Sequence, residues 1–176
     1  MTTAEIIAAC GHETKLPFLI IGGIAIVAHG YQRDTIDLDY LVRQSDRPAW
    51  REVLKNLGYE IAHEHDRFDQ FASTRGWIDL DVMYVNERTF DTMWTASESK
   101  NLGPADGRFP SLEHLIALKL HVLKQNIPHR MLGDMDDVIN LLLANRVDLR
   151  QDKWRELFVK YGNPDLYEKI VRAISP

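Results

Sequence analysis

The stretch Ile36-Asp37-Leu38-Asp39-Tyr40-Leu41-Val42 alternates apolar and acidic residues and then becomes wholly apolar. This pattern predicts a short β-strand, in which successive side chains point to opposite faces. Asp37 and Asp39 therefore share one face, with Cα atoms roughly 7 Å apart, while Leu38 and Tyr40 lie on the other. Two carboxylates that converge in this way suit Mg²⁺, which needs only one or two protein carboxylates beside water and substrate phosphates.

A glycine pair precedes this strand. The apolar run Pro17-Phe18-Leu19-Ile20-Ile21 has the length of a strand, Gly22 and Gly23 end it, and the residues at 23–30 predict a short buried helix. Glycines without a Cβ let backbone N–H groups approach an anion closely, and the start of a helix favours negative charge. The order strand, glycines, helix therefore predicts a loop that binds a triphosphate.

Together, Gly22-Gly23 and Asp37-Leu38-Asp39, with thirteen residues between them, resemble the signature of the DNA polymerase β-like nucleotidyltransferase superfamily. Within that superfamily the chain most resembles the minimal bacterial enzymes grouped with AbiEii-type abortive-infection toxins and with small antibiotic nucleotidyltransferases. The resemblance covers residues 16 to about 85 well and the remainder weakly. It implies a nucleotidyltransferase fold, an NTP such as ATP as substrate, and Mg²⁺ or Mn²⁺ as cofactor.

The superfamily pattern implies a third carboxylate on a later strand, and the alternating segment at 77–85 offers both Asp79 and Asp81 on one face. We expect Asp79 to complete the metal site with Asp37 and Asp39, because related sequences resemble the Ile-Asp-Leu pattern found there. Asp81 is expected either to support that site through another residue or to be solvated. Carboxylates grouped so closely repel one another, so divalent cations are their natural neutraliser.

Two basic residues are candidates for offsetting the charge of the triphosphate. Arg33 leads into the acidic strand, and Lys119 lies on the apolar stripe of a helix predicted for residues 111–125. The resemblance assigns such a helix lysine to the nucleotide phosphates, for which a compact cation is suited. The alternative is a lysine whose stem covers apolar surface.

Asp134 and Asp137 lie three residues apart at the start of a helix predicted for residues 134–145. Both are expected to support the site indirectly and not to take part in the chemistry. Capping the helix is the simplest role for Asp134. Asp137 is expected to hold Lys119 or Arg130.

Composition narrows the class of protein. The net charge of −5 gives no general preference for nucleic acid, although a local patch of Lys119, Lys124, His129 and Arg130 keeps tRNA among the candidate acceptors. Cys10 is the single cysteine and cannot form an intramolecular disulfide. Because no apolar run reaches about 18 residues and the N-terminus lacks the basic segment of a secretion signal, we expect a cytoplasmic protein with no membrane partner.

The chain is predicted to be α/β (α+β), with a mixed β-sheet nucleotidyltransferase core at residues 1–100 and a helical C-terminal region at 101–176 packed on that core. Strands are predicted at 17–21, 36–42, 59–63, 68–73 and 77–85. Between the core and the helices, Gly103-Pro104 and Gly107 predict a loop.

These observations favour a metal-dependent enzyme that moves a nucleoside monophosphate from NTP to an acceptor hydroxyl, with pyrophosphate leaving. Asp37, Asp39 and Asp79 are its expected catalytic residues. RNA, protein and small hydroxylated molecules are the candidate acceptors, and a toxin paired with an antitoxin protein is one candidate biological role. The alternatives are a non-catalytic nucleotide-binding module on the same fold, an antibiotic nucleotidyltransferase, and a nuclease that uses the acidic cluster.

Overall fold

The computed structural model describes residues 1–103, 106–126 and 128–174, with the side chains of Thr14, His129 and Arg130 outside the described part. The chain forms two compact units. The first comprises Met1–Ala25 and Arg33–Ser111, and the second comprises Ile26–Gln32 and Leu112–Pro176. In the described residues, no helix is long and apolar enough to cross a membrane.

The first unit combines β-sheet with helices. Its helical elements are α1 (Thr3–Thr14), the start of α2 (Gly22–Ala28), a 3₁₀ turn (Gln44–Asp46), α3 (Arg47–Leu57) and α4 (Glu87–Thr95). Its strands are β1 (Leu19–Ile21), β2 (Asp37–Arg43), β3 (Tyr59–Glu64), β4 (Phe68–Ser73), β5 (Asp79–Val85), β6 (Glu98–Asn101) and β7 (Asp106–Phe109). The predicted mixed α/β class is confirmed.

The main sheet has the strand order β1-β2-β5-β4-β3. The central pair, β2 and β5, is parallel, and the other pairs are antiparallel. In the central pair Asp37 lies opposite Asp79 and Asp39 lies opposite Asp81. Paired residues of neighbouring strands point to the same face of a sheet, so all four carboxylates belong to one face.

The opposite face of the sheet forms the core of this unit. Leu38 and Tyr40 from β2 and Leu80 and Val82 from β5 are fully buried, and Trp50 of α3 packs edge-on against the Tyr40 ring. Because side chains alternate along a strand, burying these residues directs the intervening aspartates to the other face. The hydrophobic core therefore sets the direction of the acidic side chains.

One buried ionic cluster fixes β4 against α3. Asp69 is fully buried and accepts hydrogen bonds from Arg47, Arg51 and the Tyr84 hydroxyl, with shortest distances of 2.6, 2.8 and 2.8 Å. Burial alone raises the pKa of this carboxyl, but hydrogen bonds from Arg51, Arg47 and Tyr84 outweigh it and lower the pKa to about 2. Asp69 is thus ionised in the folded protein and anchors the start of β4.

The segment predicted as a loop contains a hairpin instead. The strands β6 and β7 pair in antiparallel fashion, with Lys100 opposite Gly107. Gly107 is a close-packed strand residue, because a Cβ there would lie 2.6 Å from Leu102 Cδ1 and 2.8 Å from Ile20 Cδ1. The loop prediction at Gly107 was wrong because glycine is needed there for close packing within a strand and not for a turn. Pro104 lies outside the described residues.

The second unit is helical in its described residues. It contains the end of α2, α5 (Leu112–Lys124), α6 (Pro128–Ala144), α7 (Asp152–Tyr161) and α8 (Pro164–Ile174). The helix α6 begins at Pro128 and not at residue 134, because proline suits the first position of a helix, where an N–H has no intrahelical partner. Asp134 therefore lies inside α6, and the prediction that it caps the helix was wrong.

Candidate active site

Three carboxylates meet on the open face of the main sheet. Asp37 and Asp39 come from β2 and Asp81 from β5, and each offers one oxygen within 4.8 Å of the other two. All three residues are half-buried. Hard oxygen donors grouped so closely repel one another without a counter-charge, and they are the donor type that Mg²⁺ and Mn²⁺ take. The group therefore fits a divalent cation.

The third carboxylate of this cluster is Asp81, whereas sequence reasoning expected Asp79 to complete the metal site. Asp79 is exposed at the first position of β5, and its Oδ1 accepts a hydrogen bond of 3.0 Å from the backbone N–H of Ser73. Asp81 lies directly opposite Asp39 in the parallel pair. The structure shows which carboxylates lie together, but β4 engages both acids, so the expected role of Asp79 as a metal ligand stays a prediction. Metal binding by any of these residues is a proposal.

Gly22 makes room for the carboxylate of Asp39. Its φ is +61°, and a Cβ at this position would lie 1.8 Å from Asp39 Oδ2 and 2.5 Å from Asp39 Cγ. Only glycine meets both conditions, since an L side chain disfavours this backbone conformation and would occupy the space of the Asp39 carboxylate. Gly22 thus allows Asp39 to lie against the start of α2.

Gly23 likewise makes room for the side chain of Thr35. A Cβ on Gly23 would lie 2.4 Å from Thr35 Oγ1, and this hydroxyl lies 3.1 Å from Asp37 Oδ1 and 3.2 Å from the Asp37 carbonyl oxygen, as a donor to both. The glycine pair thus shapes the carboxylate cluster from two sides. Sequence reasoning expected Gly22 and Gly23 to bind phosphate through their backbone, and that role stays a prediction.

Gln70 is a residue of this site that sequence reasoning missed. It lies on β4 directly opposite Asp81, and its Nε2 donates a hydrogen bond of 3.1 Å to Asp81 Oδ2. Nothing in the sequence around Gln70 indicates a site. Only the pairing of β4 with β5 brings it there, and the pairing register of distant strands cannot be read from local alternation.

Arg33 lies in the segment between α2 and β2. Its side chain is exposed, and its Nε donates a hydrogen bond of 3.2 Å to the carbonyl oxygen of Asp34. These contacts do not test whether Arg33 binds a triphosphate, so that role stays a prediction.

Solved structures of similar fold include an antibiotic-resistance factor and a lincosamide antibiotic adenylyltransferase. The antibiotic-resistance factor ANT(2'')-Ia in solution matches with a TM-score of 0.68 and 16% identity over 98% of each chain. A crystal structure of ANT(2'')-Ia with adenylyl-2''-tobramycin matches with a TM-score of 0.68 and 16% identity over 90% of this chain and 94% of that one. The lincomycin-bound lincosamide antibiotic adenylyltransferase LnuA matches with a TM-score of 0.57 and 19% identity over 80% of this chain and 96% of that one.

The chain has a nucleotidyltransferase fold. At these identities the likeness establishes the fold alone. No protein-family model matches the sequence, and no curated protein sequence is significantly similar to it.

The helical unit of this nucleotidyltransferase fold contains a second charged cluster. Lys119 Nζ donates to Asp134 Oδ1 at 2.6 Å and to Asp137 Oδ2 at 2.7 Å. Asp134 and Asp137 are 4% and 2% exposed. The alternative in which Asp137 holds Lys119 is confirmed, whereas the side chain of Arg130 lies outside the described part. The predicted contact of Lys119 with nucleotide phosphates stays a prediction.

Lys119→Met is expected to lower the free energy of unfolding by about 3 kcal/mol, because it removes the cation that binds two buried carboxylates and breaking a buried ion pair by removing one partner is strongly destabilising. The matched control is Lys124→Met in the same helix, an exposed lysine whose replacement should change stability by less than about 0.5 kcal/mol. Urea unfolding of the two variants measures the difference. Equal stabilities would show that the Lys119 ion pairs contribute nothing.

The pair Asp81→Asn and Asp79→Asn distinguishes the cluster carboxylate from its neighbour. We expect Asp81→Asn to weaken Mn²⁺ binding at least about tenfold and Asp79→Asn to change it less than about threefold, since loss of even a supporting partner of a metal site costs about 10–100-fold. Titration with Mn²⁺ followed by electron paramagnetic resonance measures both affinities. A larger effect at Asp79 would instead identify Asp79 as the third metal ligand.

Proposed function

We propose that this protein is a metal-dependent nucleotidyltransferase that transfers a nucleoside monophosphate from NTP to an acceptor hydroxyl. The observation that carries the proposal is the group of Asp37, Asp39 and Asp81 oxygens within 4.8 Å of one another on the sheet of a nucleotidyltransferase fold. A binding module needs no such concentration of negative charge beside a triphosphate, because carboxylates and phosphates repel each other unless a cation lies between them.

In the reaction, the acceptor oxygen forms a bond to the α-phosphorus, the bond from that phosphorus to the bridging oxygen breaks, and pyrophosphate leaves. Asp37, Asp39 and Asp81 would hold Mg²⁺ or Mn²⁺. When bound there, the cation would supply electrostatic stabilisation of the phosphoryl oxygens. An oxygen of Asp81 is suited to accept the hydroxyl proton, and Arg33 is suited to offset charge on the triphosphate. Positioning and electrostatics would thus provide most of the catalysis.

The proposed acceptor is a small hydroxylated molecule of the aminoglycoside or lincosamide type. The two fold neighbours that support this choice are an antibiotic-resistance factor, one structure of which holds adenylyl-2''-tobramycin, and a lincosamide adenylyltransferase. The net charge of −5 also favours a small acceptor over tRNA, because proteins that bind a phosphate backbone usually present a basic surface. The resemblance to toxin enzymes implied RNA or protein acceptors instead, and the labelling experiment below includes both.

Incorporation of label from each α-³²P NTP tests the function and the acceptor together. The purified protein is incubated with Mg²⁺ or Mn²⁺ and, separately, with aminoglycosides, lincosamides, total tRNA, or no added acceptor. We expect label in a small-molecule product and release of pyrophosphate. Label in tRNA or in protein would support the toxin role and overturn the small acceptor.

Two further outcomes separate the alternative functions. Binding of a non-hydrolysable NTP without label in any pool would indicate a nucleotide-binding module. Degradation of tRNA without incorporation would indicate a nuclease. Either result would overturn the proposed transfer reaction.

A further inference from the structure

The pairing register aligns one row of side chains across four strands of the main sheet. Asp39 lies opposite Asp81, Asp81 lies opposite Gln70, and Gln70 lies opposite His63. Paired residues share a face, so this row extends the carboxylate cluster towards β3. Gln70 is the member of the row that borders the cluster.

Gln70 contacts one specific oxygen of Asp81. Its Nε2 lies 3.1 Å from Asp81 Oδ2, and Asp81 also offers an oxygen within 4.8 Å of oxygens of Asp37 and Asp39. An amide donor beside a carboxylate limits rotation of the carboxylate plane, because the hydrogen bond is strong only near linearity. This contact can therefore fix how Asp81 faces the cluster.

The support behind Gln70 is rigid. Its neighbour Asp69 points to the opposite face of β4, as successive strand residues do, and there accepts hydrogen bonds from Arg47, Arg51 and Tyr84. A fully buried carboxylate with three donors holds the backbone of β4 at that point. Gln70 is thus presented to Asp81 from a fixed position.

We infer that Gln70 is a positioning residue that orients the Asp81 carboxylate for cation binding. The inference rests on the proposed function, which gives the cluster its role in cation binding. It also distinguishes Asp81 from Asp79, the other acid of β5, by the group of β4 that each one contacts. Asp79 is engaged by a backbone N–H of β4, and Asp81 by a side chain of β4. A supporting hydrogen bond to a metal-binding carboxylate is worth about 10–100-fold in metal affinity or activity.

The test uses Gln70→Met, which keeps the unbranched stem and removes the donor. We expect Mn²⁺ affinity, measured by electron paramagnetic resonance, to fall about tenfold, and kcat for label transfer to fall similarly while KM for NTP changes little. The same substitution is made in the Asp81→Ala background, which removes both oxygens of that side chain. There we expect Gln70→Met to change residual Mn²⁺ affinity less than about twofold, because a residue that acts through Asp81 has nothing left to orient.

The outcomes separate this inference from the proposed function. Equal Mn²⁺ affinity of Gln70→Met and the wild type would overturn the positioning role even if label transfer is observed. A tenfold loss that persists in the Asp81→Ala background would also overturn it, since it would indicate a general effect on the sheet. A tenfold loss confined to the wild-type background supports the positioning role even if no acceptor is labelled, in which case the transfer reaction alone fails.

Discussion

Asp39→Asn is expected to abolish metal-dependent transfer of label, by about 10³-fold or more, while the protein stays folded. Asp39 lies on a central strand, and its carboxylate faces both Gly22 and the oxygens of Asp37 and Asp81. Asparagine has nearly the same shape, so packing is kept while the charge is lost. Cation binding contributes several kcal/mol to such reactions, and each 1.36 kcal/mol is a factor of about ten in rate.

Label transfer with Mg²⁺ and the melting temperature are measured on the same preparation. Asp34→Asn is the matched control, because Asp34 is an exposed acid in the segment leading into the same strand. This control should retain activity and stability. Substantial Mg²⁺-dependent activity in Asp39→Asn would remove the carboxylate cluster from the mechanism.

Local patterns were sufficient to predict which strands carry the carboxylate cluster. The alternation at 36–42 and at 77–85 predicted the strands β2 and β5. It also predicted that their aspartates share one face, because Leu38 and Leu80 are buried on one face of the sheet and neighbouring side chains point to the other. The same pattern could not choose between Asp79 and Asp81, which are equivalent in alternation. That choice depends on register and on Ser73, whose backbone N–H comes from another strand.

Contacts between distant segments account for the other differences. Gln70 reaches Asp81 through the antiparallel pairing of β4 with β5, and Lys119 binds Asp134 of another helix in addition to the expected Asp137. No local propensity encodes these pairs. The glycine pair also could not be fully interpreted from the sequence. Glycine indicates that some group approaches the backbone closely, but only the structure identifies the group next to Gly22 as the Asp39 carboxylate.

Gly22→Ala is expected to lower label transfer by about 10²-fold or more, because the new methyl group would occupy the position of the Asp39 carboxylate, 1.8 Å from its Oδ2. Asp39 must then rotate away from Asp37 and Asp81, and a misplacement of about 1 Å can cost about 10²-fold in rate. Gly76→Ala is the matched control. Gly76 has a similar φ of +68°, but a Cβ added there would have no atom of the described residues within 4 Å, so this variant reports the backbone strain alone.

Both variants should lose about 1–2 kcal/mol of stability from the left-handed backbone, measured by urea unfolding, and only Gly22→Ala should lose activity and Mn²⁺ affinity. The comparison separates two roles of a glycine, since conformational strain lowers stability at either position whereas displacement of a carboxylate affects the site alone. Full activity of Gly22→Ala would mean that Asp39 functions in a rotamer other than the one that lies against Gly22. Equal loss of activity in both variants would instead attribute the effect to strain in the sheet.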